Sequence, residues 1–402
     1  MPNNAGAKPG TLAVWAGEKK GHWERSTQVP VVHSVSFGYR DVDEWQAVAL
    51  GKDEGHIYSR NSNPTVSVFE EKVRQLEGAA AATSFSTGMA AISNTLYTLL
   101  SPGDRVVSVK DTYGGTNKIF IEFLPHWQVS VELCNTTDHE AIEAEIARGC
   151  RVLYLESPTN PTLKVVDLGR LAEAGHRAGA TVVVDNTFAT PINTNPLEMG
   201  ADLVIHSATK FLGGHADALG GVVCGSKELI EKIYHYREIN GATLHPMAAY
   251  LLLRGMKTLH LRIERQNRSA LEIAEYLQTH PLVDKVFYPG LESHENHTIA
   301  KKQMRGFGGV LSFMLKSGFE GVKVLLPQLE YAHAAANLGA VETVVGPPAT
   351  TSHVESSREE RAAMGIPESL IRYSVGIEDP QDLISDLHQS LDYTAEKIGA
   401  KA

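Results

Sequence analysis

The sequence predicts an α/β protein with a mostly parallel central sheet, a smaller C-terminal α+β domain and an extended N-terminal arm. Between residues 78 and 245, short β-branched apolar runs alternate with amphipathic helical segments, the pattern of a parallel sheet covered on both faces. Residues 1–62 show little apolar periodicity, and residues 251–402 mix strand and helix patterns. The 402-residue length also exceeds what one hydrophobic core usually supports.

Composition excludes several classes of protein. The chain is 43% hydrophobic and 21% charged, as soluble globular proteins are, and its formal charge of −10 comes without a Lys/Arg-rich run, so no nucleic-acid partner is expected. Cys134, Cys150 and Cys224 are too widely spaced for a disulfide framework or a Cys-x-x-Cys metal site, so no metal is expected. Because no signal-like segment and no membrane-length apolar run occurs, we expect a cytoplasmic protein without a membrane partner.

The first predicted regular element after the arm is a helix that begins at Asn63-Pro64 and ends before Gly78. Beyond it, strands and helices alternate. The predicted strands are Arg105–Val109, Val152–Glu156, Val182–Asp185, Leu203–His206 and Gly221–Cys224, and the predicted helices include Ala90–Leu100, Asp138–Arg148 and Asp167–Ala178.

The C-terminal part is predicted as a smaller α+β domain reached through one long helix, Met247–Thr279. Three short strands and a last helix with leucines at helical spacing follow. These strands are Val283–Tyr288, Gly309–Met314 and Ile371–Val375, and the leucines are Leu383, Leu387 and Leu391. The predicted organisation is therefore an arm over 1–62, an α/β domain over 63–250 and an α+β domain over 251–402.

Polar residues follow the predicted parallel strands. Glu156, Asp185 and Ser207 lie at or just beyond strand ends, and ligands bind at the carboxyl ends of strands in such sheets. Ser207-Ala208-Thr209-Lys210 places an amine between hydroxyl residues and glycines, which suits an amine that forms a Schiff base beside a phosphate. For a single lysine, a solvated surface position is the commoner outcome.

Three further groups are candidates for the same site, each with an ordinary structural alternative. Asp185 could hold a proton on a ring nitrogen or simply close a turn. Gly88 and Met89, at a helix start, could bind a phosphate or belong to an ordinary cap. Tyr113 could stack on an aromatic ring, although a turn residue is an equally simple interpretation. Arg372 could bind a carboxylate, although a surface arginine on an edge strand is the commoner outcome.

Taken together, seven motifs in order resemble one family, the cystathionine/methionine-metabolism enzymes of fold type I that use pyridoxal phosphate (PLP). The resemblance runs from roughly residue 10 to residue 393. The motifs are Tyr58-Ser59-Arg60-x-x-Asn63-Pro64-Thr65, Ser86-Thr87-Gly88-Met89-Ala90-Ala91, Tyr113-Gly114-Gly115-Thr116, Glu156-Ser157-Pro158-Thr159-Asn160-Pro161, Val184-Asp185-Asn186-Thr187-Phe188, Ser207-Ala208-Thr209-Lys210 and Arg372-Tyr373-Ser374-Val375-Gly376-Ile377-Glu378.

The resemblance implies a seven-stranded central sheet and a role for each matched residue. Lys210 would hold PLP and move protons, Asp185 would pair with the pyridine nitrogen, and Tyr113 would stack on the ring. The substrate would contact Arg372, with Asn160, Asn337 and Ile57 nearby. Phosphate contacts would come from Ser207, Thr209, Gly88 and Met89, and from Tyr58 and Arg60 of a neighbouring subunit in a homotetramer built as a dimer of dimers.

Departures from the family pattern bear on the substrate. Ile57 and Ala336 stand where cystathionine γ-lyases carry Glu, and Lys118 stands where they carry Arg. The site wall is therefore predicted to be more apolar, which suits methionine and its elimination to methanethiol, ammonia and 2-oxobutanoate, as in methionine γ-lyases.

Other departures leave alternatives open. Gly115 replaces the Cys of methionine γ-lyases, Arg237-Glu238 replaces their Lys-Asp pair, and Asn337 replaces a common Ser. Cystathionine γ-lyase, cystathionine γ-synthase and O-acylhomoserine sulfhydrylase activities remain alternatives. A PLP-binding regulatory protein is disfavoured because Lys210, Asp185 and Tyr113 are all present.

Overall fold

The computed structural model describes residues 6–18, 22–351, 354, 358–363 and 365–399. A seven-stranded sheet forms the larger layer, in the order β1-β7-β6-β5-β4-β2-β3. Neighbouring strands are parallel from β3 to β6, and only β7 runs against its neighbours. The strands are β1 (Ala81–Phe85), β2 (Arg105–Val109), β3 (Ser130–Cys134), β4 (Val152–Glu156), β5 (Thr181–Asp185), β6 (Leu203–Ser207) and β7 (Gly221–Gly225).

A second sheet of five strands lies in the C-terminal part, in the order β10-β11-β12-β9-β8. Each sheet has its own buried apolar clusters, so the expected α/β fold with a smaller α+β part is confirmed. The strands are β8 (Val283–Phe287), β9 (Val310–Leu315), β10 (His333–Ala334), β11 (Val344–Gly346) and β12 (Leu370–Ser374).

Helices pack against the strands of both sheets. No described helix is long and apolar enough to cross a membrane. The helices are α1 (Pro9–Trp15), α2 (Val42–Ala49), α3 (Pro64–Glu77), α4 (Gly88–Leu99), α5 (Gly114–Lys118), α6 (Leu124–His126), α7 (His139–Ala147), α8 (Leu168–Arg177), α9 (Thr190–Asn193), α10 (Lys227–Asn240), α11 (Pro246–Met256), α12 (Leu259–Thr279), α13 (His297–Gln303), α14 (Gly318–Leu325), α15 (Arg358–Ala363) and α16 (Pro380–Gly399).

Two strands of the large sheet were absent from the prediction, and both are edge strands. β1 contains small and hydroxyl residues, and β3 alternates polar and apolar residues with only Cys134 buried. Edge strands need not be apolar on both faces, so neither segment shows the continuous apolar run that identifies the buried strands between them.

The arm contains two short helices that the sequence pattern did not predict. At α2, the Asp41 side chain accepts a hydrogen bond from the backbone N–H of Glu44 and caps the helix. At α1, the buried ammonium of Lys72 donates to the carbonyls of Ala13 and Val14, which binds the end of that helix to α3. The side chains that stabilise these two helices, Asp41 and Lys72, therefore lie outside the helices themselves.

The predicted helix Met247–Thr279 is two helices, and this prediction was wrong at residues 257 and 258, where α11 ends and α12 begins. The break lets α12 return over the turn that follows Lys210. There Arg262 donates to the carbonyl of Phe211 at 2.8 Å and to that of Gly255 at 2.9 Å. The predicted domain boundary at residue 250 lies inside α11.

Candidate active site

The carboxyl ends of β4, β5 and β6 meet at one pocket of about 290 Å³, near the lower limit of the roughly 300–1,000 Å³ found for small-molecule sites. Strand topology explains the convergence, since parallel strands end at the same edge of the sheet. Many of the predicted site residues line this pocket, called the Lys210 pocket below: Gly88, Met89, Tyr113, Asn160, Asp185, Ser207, Thr209, Lys210 and Arg372.

Lys210 projects from the turn after β6. Burial, together with the positive charge of Arg372, lowers the pKa of its amine to about 8. The ammonium donates to Asn337 Oδ1 at 2.8 Å. Near neutral pH this lysine therefore has a much larger neutral, nucleophilic fraction than a solvated lysine, whose pKa is about 10.4.

Asp185 ends β5 and is buried. One carboxylate oxygen accepts the backbone N–H of Thr187 at 3.0 Å, and the other is 3.5 Å from the hydroxyl of Tyr154. Burial raises the pKa of Asp185, and the bonds from Thr187 oppose this rise. In the part of the chain that the structure describes, no Lys or Arg pairs with it, so a cationic ring nitrogen would supply the missing partner.

The start of α4 and the turn after β6 form a cradle of small and hydroxyl residues. Thr87 caps α4 by accepting the N–H of Ala90 at 3.0 Å. A Cβ on Gly88 would lie 2.6 Å from the Cβ of Ser207, so only glycine lets the helix approach this turn. Backbone amides at a helix start together with the hydroxyls of Ser207 and Thr209 are a donor set that fits a phosphate.

Arg372 brings the second sheet into the site from β12. Its two terminal nitrogens donate to Asn160 Oδ1 and to the carbonyl of Asn337, each at 3.1 Å. Burial lowers the pKa of the guanidinium to about 10. Both partners are neutral, so this buried cation favours an anion in the pocket.

Asn337 reaches the site through these contacts, between the pocket-lining residues Ala336 and Leu338. Gly115 lies beside the pocket, and a Cβ there would come within 2.8 Å of Met89 Sδ. A cysteine at that position would therefore force Met89 to move. Lys118 pairs with Glu122 at 2.6 Å.

Ile57, Tyr58 and Arg60 lie elsewhere within the single chain. Ile57 lines a different depression, called the arm cleft below, together with Glu238. The guanidinium of Arg60 donates to the carbonyl of Glu238, and the ring of Tyr58 is exposed. Arg237 holds the same segment by donating to the carbonyl of Asn61. That these residues contribute to the active site of a neighbouring subunit stays a prediction.

Some pocket residues were not assigned a role from the sequence. Glu156, which ends β4, accepts the backbone N–H of Tyr113 at 2.8 Å. Thr187 Oγ1 accepts the backbone N–H of Ser207 at 2.9 Å, and Phe188, Leu219 and Thr351 complete the wall. Their position in the sequence could have identified two of them as site residues, since Glu156 and Thr187 lie at strand ends next to predicted site residues.

The chain matches the Cys/Met metabolism PLP-dependent enzymes over residues 10–392. It is 41% identical over 386 residues to an L-methionine gamma-lyase of Fusobacterium nucleatum subsp. polymorphum, covering 95% of this chain and 98% of that protein. It is 42% identical over 360 residues to a cystathionine gamma-lyase of Bacillus subtilis (strain 168), covering 89% and 94%.

A solved structure shows the same architecture. The cystathionine gamma synthase of Xanthomonas oryzae pv. oryzae, in complex with cystathionine, superposes with a TM-score of 0.92 at 35% identity, covering 97% of this chain and 99% of that one. Together with a pocket that offers a buried amine, a buried carboxylate and a phosphate cradle, these similarities identify a PLP-dependent enzyme. The chain belongs to the Cys/Met metabolism PLP-dependent enzyme family.

Proposed function

We propose that this enzyme catalyses the α,γ-elimination of L-methionine to methanethiol, ammonia and 2-oxobutanoate. The observation that carries the proposal is the apolar part of the pocket wall, which includes Phe188, Leu219, Ala336 and Leu338. Glu156 and Asp185 are the only acidic residues among the described lining residues, and both already accept backbone hydrogen bonds. A methyl thioether suits such a wall, whereas the distal ammonium of cystathionine would be buried without a free carboxylate.

Substrate orientation would come from Arg372. Its guanidinium is held by Asn160 and Asn337, so its fork is fixed in direction before a substrate carboxylate arrives. Prior fixation reduces the conformational entropy that binding removes. The γ-substituent of a substrate held in this way would extend within the same small pocket, towards its apolar side.

Proton transfer would fall to three residues of this chain. Bound PLP supplies an electron-accepting ring next to the substrate α-carbon. The amine of Lys210, with its pKa lowered to about 8, would remove the α-proton, and Asp185 would hold the proton on the ring nitrogen. After a second proton has left the β-carbon, Tyr113, which lines the pocket, would give a proton to the departing sulfur.

We also propose a homotetramer built as a dimer of dimers in which neighbouring subunits share sites. Support comes from the arm, because Tyr58 and Arg60 stand outside the pocket of their own chain. A second chain could bring these residues to the phosphate cradle, where a guanidinium would add a charge-assisted contact.

The test is a product screen of the PLP-saturated enzyme with methionine, cystathionine, homocysteine and O-acetylhomoserine. We expect the highest kcat/KM for methionine, with methanethiol and 2-oxobutanoate formed in equal amounts. A parallel assay of O-acetylhomoserine with added cysteine separates elimination from replacement, since replacement would form cystathionine. Preference for cystathionine, or no methanethiol from methionine, would disprove the proposal.

A further inference from the structure

A buried carboxyl with no part in the proposed proton transfers lies beside Asp185. Glu156 ends β4, and its Cα is paired in register with that of Asp185 at the end of β5. The Glu156 side chain is buried and lines the Lys210 pocket. Two neighbouring carboxyls in a low-dielectric interior resist ionising together, so this arrangement requires a physical reason.

The hydrogen bonds of Glu156 supply a physical reason for its position beside Asp185. Its Oε2 accepts the backbone N–H of Tyr113 at 2.8 Å, and the backbone N–H of Asn160 also bonds to this carboxyl. Tyr113 immediately precedes α5, whereas Asn160 lies in the loop after β4. Asn160 Oδ1 in turn accepts from Arg372 at 3.1 Å. One carboxyl therefore links the loop that carries the tyrosine to the loop that orients the arginine.

We propose that Glu156 is a positioning residue whose carboxyl holds the Tyr113 and Asn160 loops in one arrangement around Asp185. The tyrosine that faces the ring and the arginine that binds the carboxylate are thereby placed together. This inference rests on the proposed function of the pocket. Glu156 itself touches neither substrate nor reacting atoms in this scheme.

The protonation state of Glu156 is compatible with this role. Burial raises the pKa of its carboxyl well above the ordinary value, and the negative charge of Asp185 raises it further, while the amides of Tyr113 and Asn160 oppose the rise. A neutral Glu156 leaves Asp185 as the single negative charge of the pair. Glutamine, which is neutral and of similar size, should therefore substitute for it better than alanine.

The experiment compares Glu156→Ala and Glu156→Gln in the full chain. PLP dissociation constants come from absorbance titrations of the apoprotein, and kcat and KM are measured with methionine. Because Ala leaves buried amides without an acceptor, we expect its PLP dissociation constant and KM to rise about tenfold, with a smaller change in kcat. Gln should bind PLP at least about threefold more tightly than Ala.

Asp386→Ala is the matched control. Asp386 is a buried carboxyl of α16 that accepts the backbone amides of Glu330 and Tyr331, at 3.1 and 3.0 Å, outside the Lys210 pocket. Its loss should lower the thermal midpoint of unfolding, as Glu156→Ala should, while PLP affinity stays at the wild-type value. Equal losses of PLP affinity in the two Ala variants would show general destabilisation and overturn the proposal.

Two more results would also overturn it: wild-type PLP affinity and KM in Glu156→Ala, or Gln binding PLP no better than Ala. If the Ala variant does not fold, the pH titration of the bound cofactor's absorbance in Glu156→Gln decides. An unchanged midpoint supports a neutral Glu156, and a shift of about one pH unit or more contradicts it. PLP binding is measured without substrate, so failure of the methionine proposal leaves this test intact.

Discussion

The Lys210 pocket and the arm segment around Arg60 both carry motifs of the same family, yet the fold treats them differently. Asp185, Ser207 and Lys210 come together because β5 and β6 are parallel neighbours that end at one edge. Arg60 lies outside the sheets and bonds to Glu238 of its own chain, away from the pocket. The difference teaches that sheet topology can assemble one part of a site within a chain, whereas a motif on an arm depends on where the arm is placed.

The largest expected effect is that of a substitution in the Lys210 pocket. Lys210→Ala removes the amine that holds PLP and moves the α-proton, so we expect turnover of methionine to fall on the order of 10³-fold or more. PLP should still bind, more weakly, through the phosphate cradle. Steady-state assays and an absorbance titration measure the two effects.

Lys257→Ala serves as the control for this variant. Lys257 is another partly buried lysine, paired with Glu18 at 2.8 Å and not among the residues that line the pocket. Its loss should leave turnover close to wild type. A Lys210→Ala enzyme that keeps most of its turnover would disprove the assignment of Lys210.

The next prediction tests whether the arm contributes to the active site of its own chain or to that of a neighbouring subunit. Arg60→Ala should weaken PLP binding roughly tenfold, because a charge-assisted phosphate contact is lost. Mixed Arg60→Ala and Lys210→Ala subunits should recover activity, since a hybrid dimer contains one intact site. With random exchange, half of the dimers are hybrids with half of their sites intact, so the hybrids can add at most about a quarter of wild-type activity to that of the unmixed variants.

Subunit exchange is verified with two affinity tags before activity is measured. Arg40→Ala, a change of another exposed arginine in the arm, should leave PLP binding unaltered. Well-mixed hybrids without any recovery would show that each arm acts within its own chain.

The last prediction tests both regions at once. Ile57→Glu with Ala336→Glu places one carboxylate on the arm and one on the pocket wall. An ammonium of cystathionine could meet both if the arm of a neighbouring subunit reaches the pocket, as proposed above. A buried charge contact is worth roughly 2–5 kcal/mol, so the ratio of kcat/KM for cystathionine over methionine should rise at least about tenfold. Parallel assays with both substrates give this ratio.

The matched control replaces the same residues with Gln, which has the size of Glu without its charge. The Gln pair should not reproduce the shift. An equal shift in both pairs would attribute selectivity to volume, and no shift in either would remove Ile57 and Ala336 from substrate recognition.

Prediction from sequence succeeded best where local pattern and tertiary environment agree. β2 and β4 have the predicted bounds because they are interior strands of the sheet, almost wholly buried and therefore mostly apolar. The edge strands β1 and β3 were not predicted. β3 is largely exposed and alternates polar with apolar residues, and β1 contains Thr83 and Ser84, which interrupt its apolar run although they are buried. The break between α11 and α12 was not predicted either, and the Arg262 contact that accompanies it joins α12 to the distant turn after Lys210.

The sequence by itself determined the family, the cofactor and which strands end in polar residues, because motifs and apolar periods are local properties of the chain. Only the tertiary structure decided which groups meet. It placed Asn337 against Lys210, Glu156 against the backbone of Tyr113, and Arg60 away from the pocket. Such contacts join residues far apart in the chain through the packing of two sheets, and no local pattern of residues encodes the distance between them.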